Sequence, residues 1–251
     1  MKKKIFGLFI LSLSCIMMFS GCVEKIADTP EILVKQALNS KDLDTFYGYS
    51  IQGVKPLEYM TDTERSESET VLNNLKKEYE NNKDNLELKV LQDDTEGKYT
   101  RVAMVKKGSN IKNEANIQFF YVVKSNNEYK LDLSIAEANE INLVNYEVDY
   151  LAYKDKDINF KVYAKLSDKY NYEFKDKKDE YYSIEITESN SVSKFYGYIK
   201  KDSEDGKKLY NLLDGYEKRQ VTFKLSIPEW VQVNRDVFLI EKLASTNWGI
   251  D

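Results

Sequence analysis

The sequence predicts an α+β protein in which helices and an antiparallel sheet are followed by a second, mainly β unit. Three observations lead to this fold class. Apolar residues between positions 30 and 80 recur at helical spacing, whereas those between positions 86 and 134 alternate with polar residues, as in half-buried strands. Beyond position 150 the alternation returns in several segments, and one short helical pattern interrupts it.

The first unit opens with three predicted helix starts. Thr29 is a suitable N-cap for a helix that begins at Pro30. A second start lies at Asp42, and Thr61 and Glu64 have the spacing of a capping box. Apolar residues follow each start at helical spacing, and an asparagine-rich segment ends the last helix.

Four strand candidates follow, separated by turn-forming segments, at residues 86–90, 99–106, 116–124 and 128–134. Helices followed by a curled meander of this kind resemble the cone-shaped NTF2-like (cystatin-like) domains of lipoproteins. The resemblance covers residues 30–140 and implies a curved sheet with a pocket at the mouth of the cone. Core packing is the expected role of Tyr47, Tyr49, Phe120 and Tyr121, and lining of that mouth is the alternative.

The second unit has five strand candidates, at residues 158–174 with a bend near Asp168, 181–187, 194–200, 219–227 and 236–243. A helix is predicted before the last two, because Leu209, Leu212 and Tyr216 share one helical face and Gly215 can end it. One helix inserted before the last two of five strands resembles the OB-fold, a small β-barrel. This resemblance covers residues 150–251; a small β-sandwich capped by the helix is the alternative.

The first residues have the pattern of an export signal. Three lysines at positions 2–4 precede a 15-residue apolar run, residues 5–19, which as a helix spans about 22 Å, less than the roughly 30 Å of a membrane crossing. The run ends at Phe19, and the segment Phe19-Ser20-Gly21-Cys22 resembles the lipobox of bacterial lipoproteins, with Phe19 where Leu is usual. The resemblance implies cleavage before Cys22 and a diacylglycerol thioether, with palmitate-type chains, on its sulfur.

The expected organisation is therefore a signal peptide at 1–21, a lipidated tether at 22–29, the NTF2-like unit at 30–140 and the OB-like unit at 150–251. Two acyl chains anchor a protein stably where one is marginal, so we expect the chain on the extracytoplasmic face of the cell membrane, held through Cys22. An ordinary signal peptide, with Cys22 a free thiol, is the alternative.

Composition excludes several functions. The sequence has no histidine, which removes His-based catalytic relays and the commonest zinc ligand. Removing residues 1–21 takes away three lysines and no acid, leaving 34 basic against 42 acidic side chains, a net charge of −8. That charge argues against nucleic acid as a partner. The acidic turn of Asp93, Asp94 and Glu96 does not match a calcium loop, so we expect neither a metal nor a cofactor.

Tyrosine is abundant, with 19 in the chain, and suggests a binding surface. Strand alternation places Tyr196, Tyr198 and Lys200 on one face, where exposed rings beside a lysine can stack on a ligand. Trp230, in the loop before the last strand, is a second candidate anchor. The alternative is that these aromatic residues cover the sheet or close the barrel.

We therefore expect a membrane-anchored extracytoplasmic lipoprotein that is a non-catalytic binding or assembly module, with a surface protein, a glycan or a small molecule as its ligand. The alternative function is capture of a small molecule in a pocket of the NTF2-like unit. A ligand site predicts a deep cavity with a few polar groups, whereas assembly predicts an exposed apolar patch.

Overall fold

The computed structural model shows a mixed α+β protein with two sheets, which confirms the predicted fold class at this level. The residues that it describes are 27–91, 98–136, 139, 141–189, 191–228 and 236–248. Cys22, Trp230 and the acidic turn of Asp93, Asp94 and Glu96 lie outside the described residues, so the predictions made for them stay predictions.

From residue 27 onward, three α-helices and a 3-10 turn precede the first sheet: α1 Pro30–Leu38, α2 Leu43–Gly48, the 3-10 turn Lys55–Glu58 and α3 Asp62–Asn82. Each α-helix begins at its predicted cap. The Thr29 hydroxyl accepts a hydrogen bond from Ile32 N–H, and the Asp42 carboxylate accepts one from Thr45 N–H at 2.8 Å. The capping box before α3 is closed in both directions, as described with the site below.

The first sheet is an antiparallel meander in the order β1-β2-β3-β4, formed by β1 Leu86–Leu91, β2 Tyr99–Lys106, β3 Gln118–Ser125 and β4 Glu128–Leu131. Its inner face packs on the helices, where Val102, Phe120 and Leu131 join one apolar cluster with Leu38 and Leu72. Where β4 pairs with β3, it does so along the second half of that strand, residues 122–125. The first half of β3 therefore extends past β4.

The second sheet is a closed barrel, so the sandwich alternative is wrong. Its strands are β5 Asn159–Ser167, β6 Tyr181–Thr187, β7 Phe195–Lys200, β8 Arg219–Ser226 and β9 Val237–Ser245, in the order β5-β6-β7-β9-β8. Among the barrel strands that the structure describes, β7 and β9 are paired in parallel and the other neighbours are antiparallel. The helix α6, Glu204–Leu213, lies between β7 and β8 in the chain and buries Leu209 and Leu213 in the barrel core. Gly215, with φ +78°, follows its end as predicted.

Two short helices that the sequence did not predict connect the sheets: α4 Leu143–Val148 and α5 Tyr150–Tyr153. Leu143 and Tyr146 from α4 are buried in the barrel core, and the Tyr146 hydroxyl donates a hydrogen bond to the Leu225 carbonyl at 2.9 Å. The connection is therefore packed on the barrel.

The predicted strand at 158–174 is too long. The strand β5 ends at Ser167, and Tyr172–Phe174 is a 3-10 turn instead. Tyr172 has φ 51°, a left-handed conformation that no strand accommodates. Phe174 is drawn inward, where its ring stacks on Tyr198 with centroids 3.9 Å apart.

A buried polar junction joins the first sheet to the barrel. Arg101 on β2 pairs with Glu114 at 2.9 Å, and both side chains are fully buried. The same Glu114 carboxylate oxygen accepts from the N–H of Gln220 on β8 at 2.7 Å, and the Tyr121 hydroxyl donates to the Gln220 side-chain carbonyl at 2.6 Å. Trp248, after the last barrel strand, also packs against the outer face of the first sheet, and its backbone N–H donates to the Tyr121 hydroxyl at 3.4 Å.

Candidate functional site: a cavity beside the long helix

A cavity of about 810 Å³ lies between the long helix α3, the helix α2 with the 3-10 turn after it, and the sheet. Most of its lining side chains are apolar or aromatic. They include Leu43, Phe46, Tyr47, Pro56, Tyr59, Met60, Val71, Leu72, Leu75, Phe120, Leu131 and Leu133. The volume and the apolar lining with few polar groups are those of a small-molecule site.

One face of α3 forms the longest wall. Glu64, Ser68, Leu72 and Leu75 recur every three or four residues and therefore line the same side of the helix. From Glu64 to Leu75 this wall is about 16 Å long at 1.5 Å per residue. Its first turns carry Glu64, Glu67 and Ser68 and its later turns are apolar, so the wall has one polar end.

The aromatic wall comes from α2 and the 3-10 turn. The rings of Phe46 and Tyr47 contact each other edge to face, with centroids 6.3 Å apart. Tyr59 also lines the cavity and is 76% exposed, which places it at the rim. The cavity thus passes from a buried apolar interior to an aromatic edge in contact with water.

The sheet supplies the opposite wall through the part of β3 that extends past β4. Residues 118–121 line the cavity there, together with Leu131, Asp132 and Leu133 from the end of β4 onward. Asp132 holds this corner together, because its N–H donates to the Tyr121 carbonyl at 2.9 Å.

Asp132 is a buried anion, 6% exposed, on the wall of the cavity. Its carboxylate accepts hydrogen bonds from Gln52 at 2.7 Å, from the Ser134 N–H and hydroxyl, and from the Tyr99 hydroxyl at 3.1 Å. Burial by itself would raise the pKa of Asp132, but these hydrogen bonds together outweigh it and leave the pKa below its ordinary value. The carboxylate is therefore ionised at neutral pH.

Glu64 is a second fixed carboxylate. It accepts from the Thr61 N–H at 2.7 Å and from the Thr61 hydroxyl at 2.8 Å, while its own N–H donates back to that hydroxyl. These hydrogen bonds lower its pKa. The capping box thus fixes both the start of α3 and a negative charge at the polar end of the cavity.

Three of the four aromatic residues for which lining of the mouth was the alternative role, Tyr47, Phe120 and Tyr121, line the cavity, and Phe120 is also buried in the core beneath the helices. The fourth, Tyr49, packs against the apolar core under the helices, and its carbonyl accepts from the Leu131 N–H at 2.9 Å. Tyr121 has a further role, because its hydroxyl reaches the barrel at Gln220.

The tyrosines predicted for the barrel surface are not displayed, so the exposure assumed for them is wrong. Tyr196 is 8% exposed and Tyr198 is fully buried. The reason is the segment after β5, which covers this face: Lys169 lies over the Tyr196 ring at 4.3 Å, and Phe174 stacks on Tyr198. Tyr198 and Lys200 line a smaller cavity of about 500 Å³ beside the start of α6, and a binding role for them stays a prediction.

Sequence reasoning missed the carboxylates of the cavity. Asp132 was predicted only as a polar residue of an alternating strand. Nothing in the sequence indicated that it lies beside Gln52, 80 residues away. Glu64 was identified only as a capping residue. The capping box did fix where α3 starts, and from there the 3.6-residue period places Glu67 and Ser68 on the face of Leu72 and Leu75.

The chain matches no protein-family model, and no curated protein is detectably similar to it in sequence. Within the described ranges, no helix is both long and apolar enough to cross a membrane. In the same part of the chain, acidic and cysteine side chains form no cluster of three or more that could hold a metal ion.

Proposed function

We propose that this protein is a lipid-anchored lipoprotein of the extracytoplasmic membrane face that binds a small, largely apolar molecule, without catalysis, in the cavity beside α3. The observation that carries the proposal is the cavity itself, with about 810 Å³ of space and a mainly apolar lining. Binding there would remove apolar ligand surface from water, at about 25 cal/mol per Å².

The finer fold assignments belong to the same proposal. Helices packed into a four-stranded meander, with a cavity between them, support an NTF2-like first unit. A closed barrel of five strands, with one helix between the third and fourth, supports an OB-like second unit. Neither fold specifies an activity by itself, so the function is argued from the cavity.

In this proposal, a lipid anchor at Cys22 would hold the cavity close to the membrane surface. The lipobox-like sequence that ends at Cys22 supports export and acylation, and only seven residues separate Cys22 from the start of α1 at Pro30. Fully extended, that tether spans about 25–30 Å. The cavity would therefore stay within a few nanometres of the membrane surface.

The assembly alternative has an observation of its own. Val144, Val148 and Leu151 on α4 and α5 are 41%, 52% and 81% exposed, and they form a small apolar surface on the barrel side of the protein. This surface has the character expected of a protein contact. Binding of a ligand and docking of a partner would use different faces, so they can be separated experimentally.

The proposal is tested by filling the cavity. In the mature chain, residues 22–251, with Cys22→Ala so that no acyl chain competes, Ser68→Trp is expected to weaken binding of the uncharged fluorescent probe N-phenyl-1-naphthylamine by at least about tenfold. Ser68 lines the cavity on the helix surface, so an indole there occupies ligand space without entering the core.

The matched control is Ser66→Trp, which makes the same chemical change on an exposed position of α3 outside the cavity lining. It is expected to bind the probe as the parent chain does. Equal affinity of Ser68→Trp and Ser66→Trp for the probe would contradict the proposal and favour the assembly role. Absence of saturable probe binding by the parent chain would do the same.

A further inference from the structure

The charged groups on the cavity wall share one sign. Among the described lining residues, the charged side chains are Glu64, Glu67 and Asp132, all of them acidic. Ser68, Gln118 and the tyrosines supply the remaining polar groups, which are neutral. The formal charges on the described part of the cavity wall are therefore all negative.

The negative charge of Asp132 is not neutralised by the groups that hold it. Gln52, Ser134 and Tyr99 are all uncharged donors, so they stabilise the anion without cancelling its charge. Because Asp132 is only 6% exposed, water screens its charge less than it screens the charge of a surface carboxylate. An anionic ligand group placed nearby would be repelled, and a cationic group attracted.

The carboxylates at the polar end of α3 act in the same direction. Glu64 is held by Thr61, again through neutral donors. The nearest arginine in the sequence, Arg65, is engaged outside the cavity lining: it pairs with Asp44 at 2.8 Å and with Glu69 at 3.5 Å. The positive charge of Arg65 is therefore paired with two carboxylates outside the cavity lining.

The aromatic wall also favours a cation. Phe46, Tyr47 and Tyr59 line the side facing α3, and the negative face of an aromatic ring attracts an ammonium group by about 0.5–2 kcal/mol in model systems. Aromatic rings combined with carboxylates are a common solution for binding quaternary or protonated amines. The apolar later turns of α3 would then hold the hydrocarbon part.

We infer that the cavity selects apolar molecules that carry a positive charge, such as alkyl amines and alkylammonium ions, over carboxylates of the same chain length. This inference rests on the proposed function, because it names the ligand class of the same cavity. The charged end is expected against Glu64, Glu67 and Asp132, and the chain along Val71, Leu72 and Leu75.

The test compares three ligands that differ only in the head group. Decyltrimethylammonium, 1-decanol and undecanoate, which share a ten-carbon chain, are titrated as competitors of N-phenyl-1-naphthylamine on the mature chain with Cys22→Ala. Decyltrimethylammonium is expected to compete at least about fivefold more tightly than undecanoate, with 1-decanol between them. Equal competition by the cation and the anion would overturn the inference, while the proposed function would stand.

Two variants locate the preference. Glu67→Gln, at an exposed position that leaves the fold intact, is expected to reduce the ratio of cation to anion affinity about threefold. Asp132→Asn is expected to reduce it further, and circular dichroism would show whether that chain folds. The result for Glu67→Gln decides the question whether or not the Asp132→Asn chain folds.

The matched control is Glu78→Gln, which removes the same charge from an exposed position of α3 outside the cavity lining. An unchanged ratio in this control is expected. An equal loss in Glu78→Gln and Glu67→Gln would mean that the overall acidity of the protein sets the preference, and would overturn the inference. Failure of all three ligands and of the probe to bind would instead contradict the proposed function.

Discussion

Replacing Arg101 with methionine is expected to lower the free energy of unfolding by about 3–5 kcal/mol. The two side chains of the Arg101–Glu114 pair are fully buried and 2.9 Å apart. Without the guanidinium, Glu114 keeps a hydrogen bond from the Gln220 N–H but loses its countercharge, and its second oxygen, Oε1, already has no hydrogen-bond partner among the described residues. Urea denaturation followed by circular dichroism measures the change.

The double variant Arg101→Met/Glu114→Gln is expected to recover part of that loss, because it removes both charges and keeps an acceptor for the Gln220 N–H. Arg65→Met is the matched control, since its ion pair with Asp44 is at the surface and should contribute far less. A similar effect in Arg65→Met and Arg101→Met would mean that the buried pair does not hold the sheet and the barrel together.

Cys22→Ala in the full-length chain is expected to move nearly all of the protein out of its membrane-anchored form. The lipobox-like sequence makes the Cys22 sulfur the attachment point for the acyl chains, each buried methylene of which contributes about 0.8 kcal/mol to membrane binding. The measurement is incorporation of labelled palmitate, together with the fraction of protein extracted from membranes by high salt or carbonate.

Cys15→Ala is the control for that experiment, because it removes the other cysteine of the chain from within the expected signal peptide. Labelling and membrane retention should match those of the parent chain. Unchanged palmitate incorporation in Cys22→Ala would show that the lipobox interpretation is wrong.

Local rules predicted most of the secondary structure. The caps at Thr29, Asp42 and Thr61 are satisfied by the donors expected for them, since an N-cap acts within three residues. Two strands, Tyr99–Lys106 and Tyr181–Thr187, have the bounds that alternation predicted. The inserted helix was predicted from its apolar spacing, whereas the barrel was implied only by the resemblance of the element order to the OB-fold, with a sandwich as the alternative.

The errors arose where tertiary contacts outweigh local pattern. Residues near Tyr172 have strand-forming side chains. Phe174 nevertheless lies in a 3-10 turn, where its ring stacks on Tyr198, and does not extend β5. The same contact explains why Tyr198 is buried, although alternation suggested a displayed face. The segment that contains Leu143 and Tyr146 was predicted only as a connection between the two units, because its helix is too short to give a periodic signal.

The candidate site was only half predictable. For Tyr47, Phe120 and Tyr121, the resemblance to a cone-shaped fold supplied the mouth only as the alternative to core packing, and all three line the cavity. Asp132 could not be predicted there, because its donors Gln52 and Tyr99 are brought to it by the fold from 80 and 33 residues away. A buried charge is recognisable only when its partners are known.

A methyl NMR titration of the mature chain with decyltrimethylammonium tests whether the cavity beside α3 is the binding site. Saturable shifts are expected at Met60, Leu72 and Leu75, which line the cavity, and none at Leu213 in the barrel core. Shifts confined to the exposed surface around Leu151, with Leu72 and Leu75 unmoved, would contradict this binding site.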